Sequence, residues 1–266
     1  MALFAHADLI GMVHLLPLPG SPGSRDSVRA IADRAAEEAK VLASEGFAGI
    51  IVENMHDRPY VNAPHAPETV AAFAVCAAAV RAAAPGVRLG VQVLSFGHRE
   101  ALAVAIACEA QFIRVENFVY SHVADEGLLP DAAAGGLLRV RRALGAERVQ
   151  VYCDLKKKHA SHALTQDLSI GDTAKGAEFF GADGLIVTGA FTGTPADPGD
   201  LESVRGASPL PLLVGSGVTP EQLPSLLSLA DGLIVGSFIK RDGVWSNPVD
   251  PARCRELVQA RRLALQ

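Results

Sequence analysis

ADGLIVGS, residues 230–237, repeats an earlier ADGLIVTG at residues 182–189 and differs from it only in the last two positions. Each copy is a short branched apolar run that enters from an Ala-Asp-Gly turn and leaves through small residues. Runs of about four to eight such residues between turn signals are the pattern of strands buried on both faces. Moving outward, similar runs occur at LIGMVH (9–14), AGIIVE (48–53), RLGVQVL (88–94) and QFIRVE (111–116). RVQVYCD (148–154) and an apolar run at 210–215 complete the set.

Between these runs lie Ala-rich segments with helical spacing at 27–45, 67–84, 98–109, 131–144, 170–181 and 219–229. Their starts are marked in the sequence. Thr219-Pro220-Glu221-Gln222 supplies an N-cap, a first-turn proline and a reciprocal Gln, and Pro67-Glu68 and Asp197-Pro198 give similar starts. Eight strand–helix units in 266 residues give about 33 residues each, the scale of a (β/α)₈ or TIM barrel. No linker or composition shift divides the chain, so residues 1–266 are read as one domain. A doubly wound open sheet would place its Gly-rich turn after the first strand, whereas here the glycine signals come last.

Composition narrows the class further. Charged residues are 20% of the chain and the net charge is −5, with no basic stripe, so nucleic acid is not an expected partner. Cys76, Cys108, Cys153 and Cys254 form no CxxC motif and no Cys/His set at zinc spacing. The N-terminal MALFAHADLIGMVHLLPLPG lacks a basic leader, and Asp8 and His14 interrupt it. No apolar run reaches the roughly 18 residues of a membrane span. A soluble cytoplasmic protein with no integral membrane segment is expected, and a homo-oligomer is compatible with everything above.

Strand side chains alternate between faces, which sorts the polar residues. Val149, Val151 and Cys153 share one face of their strand, and Gln150, Tyr152 and Asp154 share the other. Phe112, Arg114 and Glu116 likewise oppose Ile113 and Val115. The apolar sets suit the helices, so the polar sets are expected to face the barrel interior. Glu116 and Asp154 then stand at the C-terminal rim, where the active sites of such barrels lie. His14, Glu53, Gln92 and Thr188 occupy equivalent strand ends, and VEN recurs at 52–54 and 115–117, adding Asn54 and Asn117. A buried Arg114–Glu116 ion pair is the structural alternative. Glu116 and Asp154, on adjacent strands, are expected to crowd each other and raise at least one carboxyl pKa.

The last two strands end in Gly-Ser pairs, LLVGSGVTPEQL (212–223) and GLIVGSFIKRDG (232–243). Small residues at these ends can expose backbone N–H groups to an anion, and phosphate commonly binds after the seventh and eighth strands. Gly215, Ser216, Gly217, Gly236 and Ser237 are therefore the expected phosphate cradle. Lys240 and Arg241 nearby read as solvated surface residues. CDLKKKHASH (153–162) overhangs the rim after the fifth strand. Here a desolvated lysine could act as base or nucleophile and a histidine could shuttle protons. FVYSHVADEGLLP (118–130) is a second long rim loop, whose His122, Asp125 and Glu126 could cap a pocket.

IGMVHLLPLPGSP (10–22), GIIVENMHDRPY (49–60), FIRVEN (112–117), LLVGSGVTPEQL and ADGLIVGSFIKRDG together resemble the BtpA/SgcQ family, in order along nearly the whole chain. The resemblance implies a TIM barrel. It also implies kinship with a founding member associated with photosystem I biogenesis and with members grouped with sugar-uptake and sugar-kinase genes. The family's Lys-His pair is matched by Lys158-His159, which ranks Lys158 above Lys156 and Lys157. The NVLRND-like stretch of many bacterial relatives is replaced here by VQVLSFGHRE (91–100).

Two functions follow as expectations. The first is an enzyme acting on a small phosphorylated sugar or nucleoside-like metabolite. Glu53, Glu116 and Asp154 with Lys158 and His159 would do lyase, isomerase or glycosidic-bond chemistry, and His14, Asn54, Gln92, Asn117 and Thr188 would hold substrate. The second is a non-catalytic assembly factor of the photosystem type. No cofactor is expected. A divalent metal on Glu53, Glu116, Asp154 and His14 is the less favoured alternative, because no HxH or ExxH signature accompanies it.

Overall fold

Each of the eight apolar runs forms a strand within two residues of its predicted span. The computed structural model describes residues 3–4, 7–189 and 193–266. In chain order the strands are β1 (Asp8–His14), β2 (Gly49–Glu53), β3 (Arg88–Gln92), β4 (Phe112–Val115), β5 (His122–Ala124) and β6 (Gly127–Leu129). They continue with β7 (Gln150–Asp154), β8 (Ala160–Ser161), β9 (Gly184–Val187), β10 (Leu212–Val214) and β11 (Gly232–Val235). The helices are α1 (Val28–Ser44), α2 (Pro67–Ala83), α3 (His98–Ala107) and α4 (Ala134–Ala143), then α5 (Ile170–Phe179), α6 (Pro198–Ala207), α7 (Leu223–Leu227) and α8 (Pro251–Ala264).

Parallel pairing closes a barrel in the order β1-β11-β10-β9-β7-β4-β3-β2. Alternation along its strands creates two separate cores. Outward residues such as Val13, Val52, Ile113 and Val151 pack under helices whose buried faces mix alanine with larger aliphatic residues. Inward residues Ile10, Met12, Ile51, Phe112, Tyr152 and Ile186 fill the barrel floor, and Phe4 joins them. The three rings stack edge to face, with centroids 5.2 Å apart for Phe4–Phe112 and 5.7 Å for Phe112–Tyr152. Glycine makes the room: a Cβ on Gly90 or Gly184 would lie 2.2 Å from the Phe112 or Tyr152 ring. The middle of the interior is thus apolar, an Asp8–Arg88 ion pair lies beneath it, and at the C-terminal end His14, Glu53 and Gln92 sit side by side in register.

Two local features depart from the sequence reading. The helix expected at 219–229 breaks into a 3₁₀ turn at Pro220–Gln222 followed by α7. Pro224 has no N–H to give, and its ring would clash with the carbonyl one turn back, so a continuous helix cannot form there. The capping glutamine remains: Gln222 Oε1 accepts from the Thr219 N–H at 3.3 Å. Second, the rim loops are structured. β5 and β6 form a hairpin, and β8, from the Lys-His segment, pairs with β5 through Val123↔Ser161 and Ala124↔Ala160. That sheet ties together the loops that follow β4 and β7. Among the described residues no helix is long and apolar enough to cross a membrane.

Candidate functional site

The polar end of the barrel opens into a cavity of about 300 Å³, whose walls include Glu53, Gln92, Glu116, Asp154, Lys158 and Trp245. That volume suits a small metabolite. Next to it lies a narrower recess lined by Gly215, Ser216, Gly217, Gly236, Ser237 and Gly193. Glu53, Arg114 and Lys158 border both spaces, so cavity and recess are continuous.

Arg114 organises the floor. Its Nε donates to Asp154 Oδ2 at 3.0 Å and its Nη2 to Oδ1 at 2.9 Å, and the pair is buried. A fork-to-fork pair of this kind fixes both partners. One expectation is corrected: Arg114 binds Asp154 rather than Glu116. Glu116 instead accepts from the Phe96 N–H at 3.1 Å and faces Lys157 Nζ at 3.7 Å. Burial, only partly offset by Lys157, pushes the Glu116 carboxyl up. Behind burial, Asp154 adds to that upward push, as the crowding of adjacent carboxylates predicts.

Glu53 and His14 form the next unit. His14 Nδ1 is 3.0 Å from the Trp245 carbonyl, which can only accept, so in the neutral ring Nδ1 carries the proton. Nε2 then presents a lone pair to Glu53 Oε2 at 3.5 Å. Burial, reinforced by Lys240, drives the His14 pKa well below its ordinary value. Burial also raises Glu53, against the opposing charges of Arg114 and Lys158. Burial thus disfavours charge on both members of the Glu53–His14 unit.

Lys158 stands between the cavity and the recess, partly exposed, and makes no hydrogen bond or ion pair among the described residues. Burial first, and then Arg114, lowers its pKa. Lys157 behaves differently: its ammonium binds the Glu126 carboxylate, which also accepts from Ser95 Oγ. Those bonds hold Glu126 below the usual carboxylate range although burial works the other way. Glu126 therefore latches the β5–β6 hairpin over the cavity, as the reading of that loop anticipated. His159 is at the outer lip, 4.0 Å from Asp125.

Other expected site residues are placed elsewhere. Asn54 is spent internally: its Nδ2 donates to the Leu94 carbonyl and Asp57 Oδ2, both at 3.0 Å, and its Oδ1 accepts from the Leu94 N–H at 2.7 Å. Asn117 Nδ2 donates to the Asp131 carbonyl at 2.8 Å. Both asparagines are buried and neither lines the cavity, so they brace the loops rather than face a ligand. Thr188 Oγ1 donates to the Lys156 carbonyl at 3.2 Å and borders a different hollow. Gln92 does line the cavity, and its buried Oε1 has no partner.

In the recess, Ser216 Oγ is committed to the Gly189 N–H at 2.8 Å and the Thr194 carbonyl at 2.9 Å. Gly217 has φ +70° and its Cβ would lie 2.4 Å from Pro195, while a Cβ on Gly215 would lie 2.6 Å from Thr188. Packing alone explains those two glycines. Gly236 is different, since a Cβ there would find nothing closer than Met12 Cγ at 3.6 Å. A Cβ here would make ordinary contacts with Met12 and, at 3.7 and 3.8 Å, with the His14 ring, so packing does not force glycine at this position. Lys240, by contrast, is no surface residue: it is buried and bonded to Glu38 at 2.7 Å.

Arg58, Tyr60, Met55 and Trp245 also wall the cavity and were not singled out in the sequence. The Arg58 guanidinium lies 4.9 Å from the Trp245 ring centroid, joining the loops after β2 and β11. GIIVENMHDRPY carries Arg58 and Tyr60, but only the tertiary meeting with Trp245 turns them inward. Among the described residues, no three His, Cys, Asp or Glu side chains converge as a metal-ligand set.

A family model described as the BtpA family matches residues 5–262. The chain belongs to the BtpA family. A mitochondrial protein of Caenorhabditis elegans, described as uncharacterised, is 42% identical over 94% of this chain and 91% of its own length. The photosystem I biogenesis protein BtpA of Synechocystis is 35% identical over 96% and 88%. Among solved structures, thiamine phosphate pyrophosphorylase from Pyrococcus furiosus has a TM-score of 0.61 at 12% identity, covering 98% of both chains. The tryptophan synthase alpha chain of Legionella pneumophila gives 0.60 at 15%, covering 96% of this chain and 92% of its own. At such identities these likenesses establish the TIM-barrel fold of this BtpA-family chain, and no activity.

Proposed function

We propose that this BtpA-family barrel is an enzyme that acts on a small phosphorylated sugar or nucleoside-like metabolite by acid/base chemistry of the lyase, isomerase or glycosidic-bond class. One observation carries the reading. An unpaired lysine, Lys158, stands at the junction of a metabolite-sized cavity and a recess of small residues, facing buried carboxyls. A purely structural role would leave that charge paired. The recess of small residues beside Gly236 suits a phosphate, and a ligand anchored there would reach across Glu53 and Lys158 towards Gln92. Glu53, whose carboxyl burial pushes up, would serve as general acid. Lys158 and Glu116 are placed as the partners that take up a proton, and Asp154 holds Arg114 at the floor.

Thermal unfolding against a panel of sugar phosphates, nucleoside phosphates and inorganic phosphate tests the reading. A native-state ligand at about 100 times its Kd adds about 2.7 kcal/mol. A concentration-dependent rise in Tm that Gly236→Val abolishes is the expected result. If no phosphorylated compound moves Tm, the enzyme reading fails. The scaffold reading, favoured by the name of the Synechocystis relative, then stands in its place.

A further inference from the structure

The surroundings of Lys158 say more than that a base is present. Each nearby carboxylate except Glu53 already has a donor. Arg114 holds both oxygens of Asp154, and Glu116 accepts from the Phe96 N–H while facing Lys157. Glu126 is taken by Lys157 and Ser95. Glu53 itself faces the neutral ring of His14. Lys158 forms no ion pair with any of these carboxyls, and burial together with the Arg114 guanidinium outweighs their pull and favours the free amine. It is also the lysine that borders both the cavity and the recess; Lys157 borders the cavity and the hollow beside Thr188, and Lys156 only that hollow.

We propose that Lys158 is a covalent catalytic residue whose Nζ forms an imine with the carbonyl carbon of an aldehyde- or keto-sugar phosphate seated with its phosphate over Gly236. This rests on the function proposed above and names its substrate class. The amine lone pair attacks the carbonyl carbon, and Glu53 delivers its proton to the oxygen. The nitrogen proton moves to the resulting hydroxyl, the C–O bond breaks, and water leaves. The product is a protonated imine on Lys158 and a carboxylate on Glu53, so protons and charge balance. That carboxylate then withdraws a proton from the adjacent carbon, the C–H electrons form C=C, and the iminium electrons return to nitrogen as a neutral enamine. An enamine is the common intermediate for carbon–carbon lysis and for isomerisation, which makes Lys158 the point where the proposed chemistry begins.

Cyanoborohydride trapping with the intact chain tests the proposal. The protein is incubated with aldose and ketose phosphates, with and without excess inorganic phosphate, and digested for mass spectrometry. The expected adduct, of ligand mass less the carbonyl oxygen, forms on Lys158 at least tenfold faster than on exposed Lys40 or Lys175, and phosphate slows it. Lys158→Arg abolishes it and Lys156→Arg does not; a Tm measured for each variant shows that it is folded. Phosphorylated sugars that raise Tm without labelling Lys158 selectively overturn the imine and leave the proposed function standing. Adducts spread evenly over all lysines, with no Tm response, overturn both.

Discussion

Lys240 is buried and Lys158 partly exposed, but both follow a barrel strand, and both have pKa values depressed first by desolvation. They differ in what answers the charge. Lys240 Nζ meets Glu38 Oε2 at 2.7 Å, and Glu38 Oε1 also accepts from the Val249 N–H at 3.3 Å. That unit clamps α1 to the segment after β11, and nothing in it is left to react. Lys158 is desolvated without a partner, in a space open to small molecules. Burial by itself therefore does not identify a functional charge. An unanswered charge beside an accessible cavity does, because folding retains such a cost only where the site uses it.

The largest expected effect breaks or upholds that contrast directly. With a substrate drawn from the stabilising panel, Lys158→Met should lower kcat/KM by ~10²–10⁴-fold. Its Tm should stay level or rise, since an unpaired cation has been removed. Steady-state kinetics beside a melting curve measures both. Lys240→Met should do the reverse, costing about 3–5 kcal/mol by stranding Glu38. Adding Glu38→Gln, which keeps an acceptor for Val249, should recover most of that loss in a denaturant titration. If Lys158→Met melts early and Lys240→Met does not, the two lysines have been assigned the wrong way round.

The sequence made one half of this contrast legible. All eight barrel strands show in their β-branched runs, and period-two alternation correctly turned Glu53, Glu116 and Asp154 to the mouth. Lys240, in a KRDG turn, reads as solvated, because its partner Glu38 lies 202 residues away on α1. VEN reads as one unit at both strand ends, yet its members part company: the glutamates face the cavity, Asn54 ties down the backbone after β3, and Asn117 ties down the far end of its own loop. Alternation predicts which way a side chain points, not which distant group it will meet. Trp245 and Arg58 were invisible for the same reason, since each matters only through a loop contributed by another strand.

The glycines of the recess give a smaller effect that sharpens the comparison of packing with function. Gly217→Val places a Cβ against Pro195 at a left-handed φ and should cost ~1–3 kcal/mol of stability. Gly236→Val meets no such obstacle, so its ligand-free Tm should change little. Affinity for the stabilising phosphate compound should fall tenfold or more, about 1.4 kcal/mol, read by isothermal titration. Unchanged affinity in Gly236→Val would move the phosphate out of the recess.

The smallest effect asks whether Glu53 is the protonated acid or a hidden partner for Lys158. Burial raises the Glu53 pKa, with Arg114 and Lys158 opposing. A folded pKa above the unfolded one means the native chain keeps its proton after the unfolded chain has released it. The resulting stability is complete below the ordinary glutamate value and is lost as pH climbs through the raised one. His14 has the opposite sign: its depressed folded pKa gives stability that is present above the ordinary histidine value and is lost as pH falls through the depressed one. Comparing wild type with Glu53→Gln at each pH separates the two, because the variant keeps His14. Denaturant midpoints measured from about pH 4 to about pH 8 should show wild type losing ground to the variant as pH rises. Parallel curves would mean that Glu53 titrates like a surface carboxylate and cannot serve as the acid. A gap that opens the other way would mean that Glu53 is ionised and bound to Lys158, making that lysine as fully answered as Lys240.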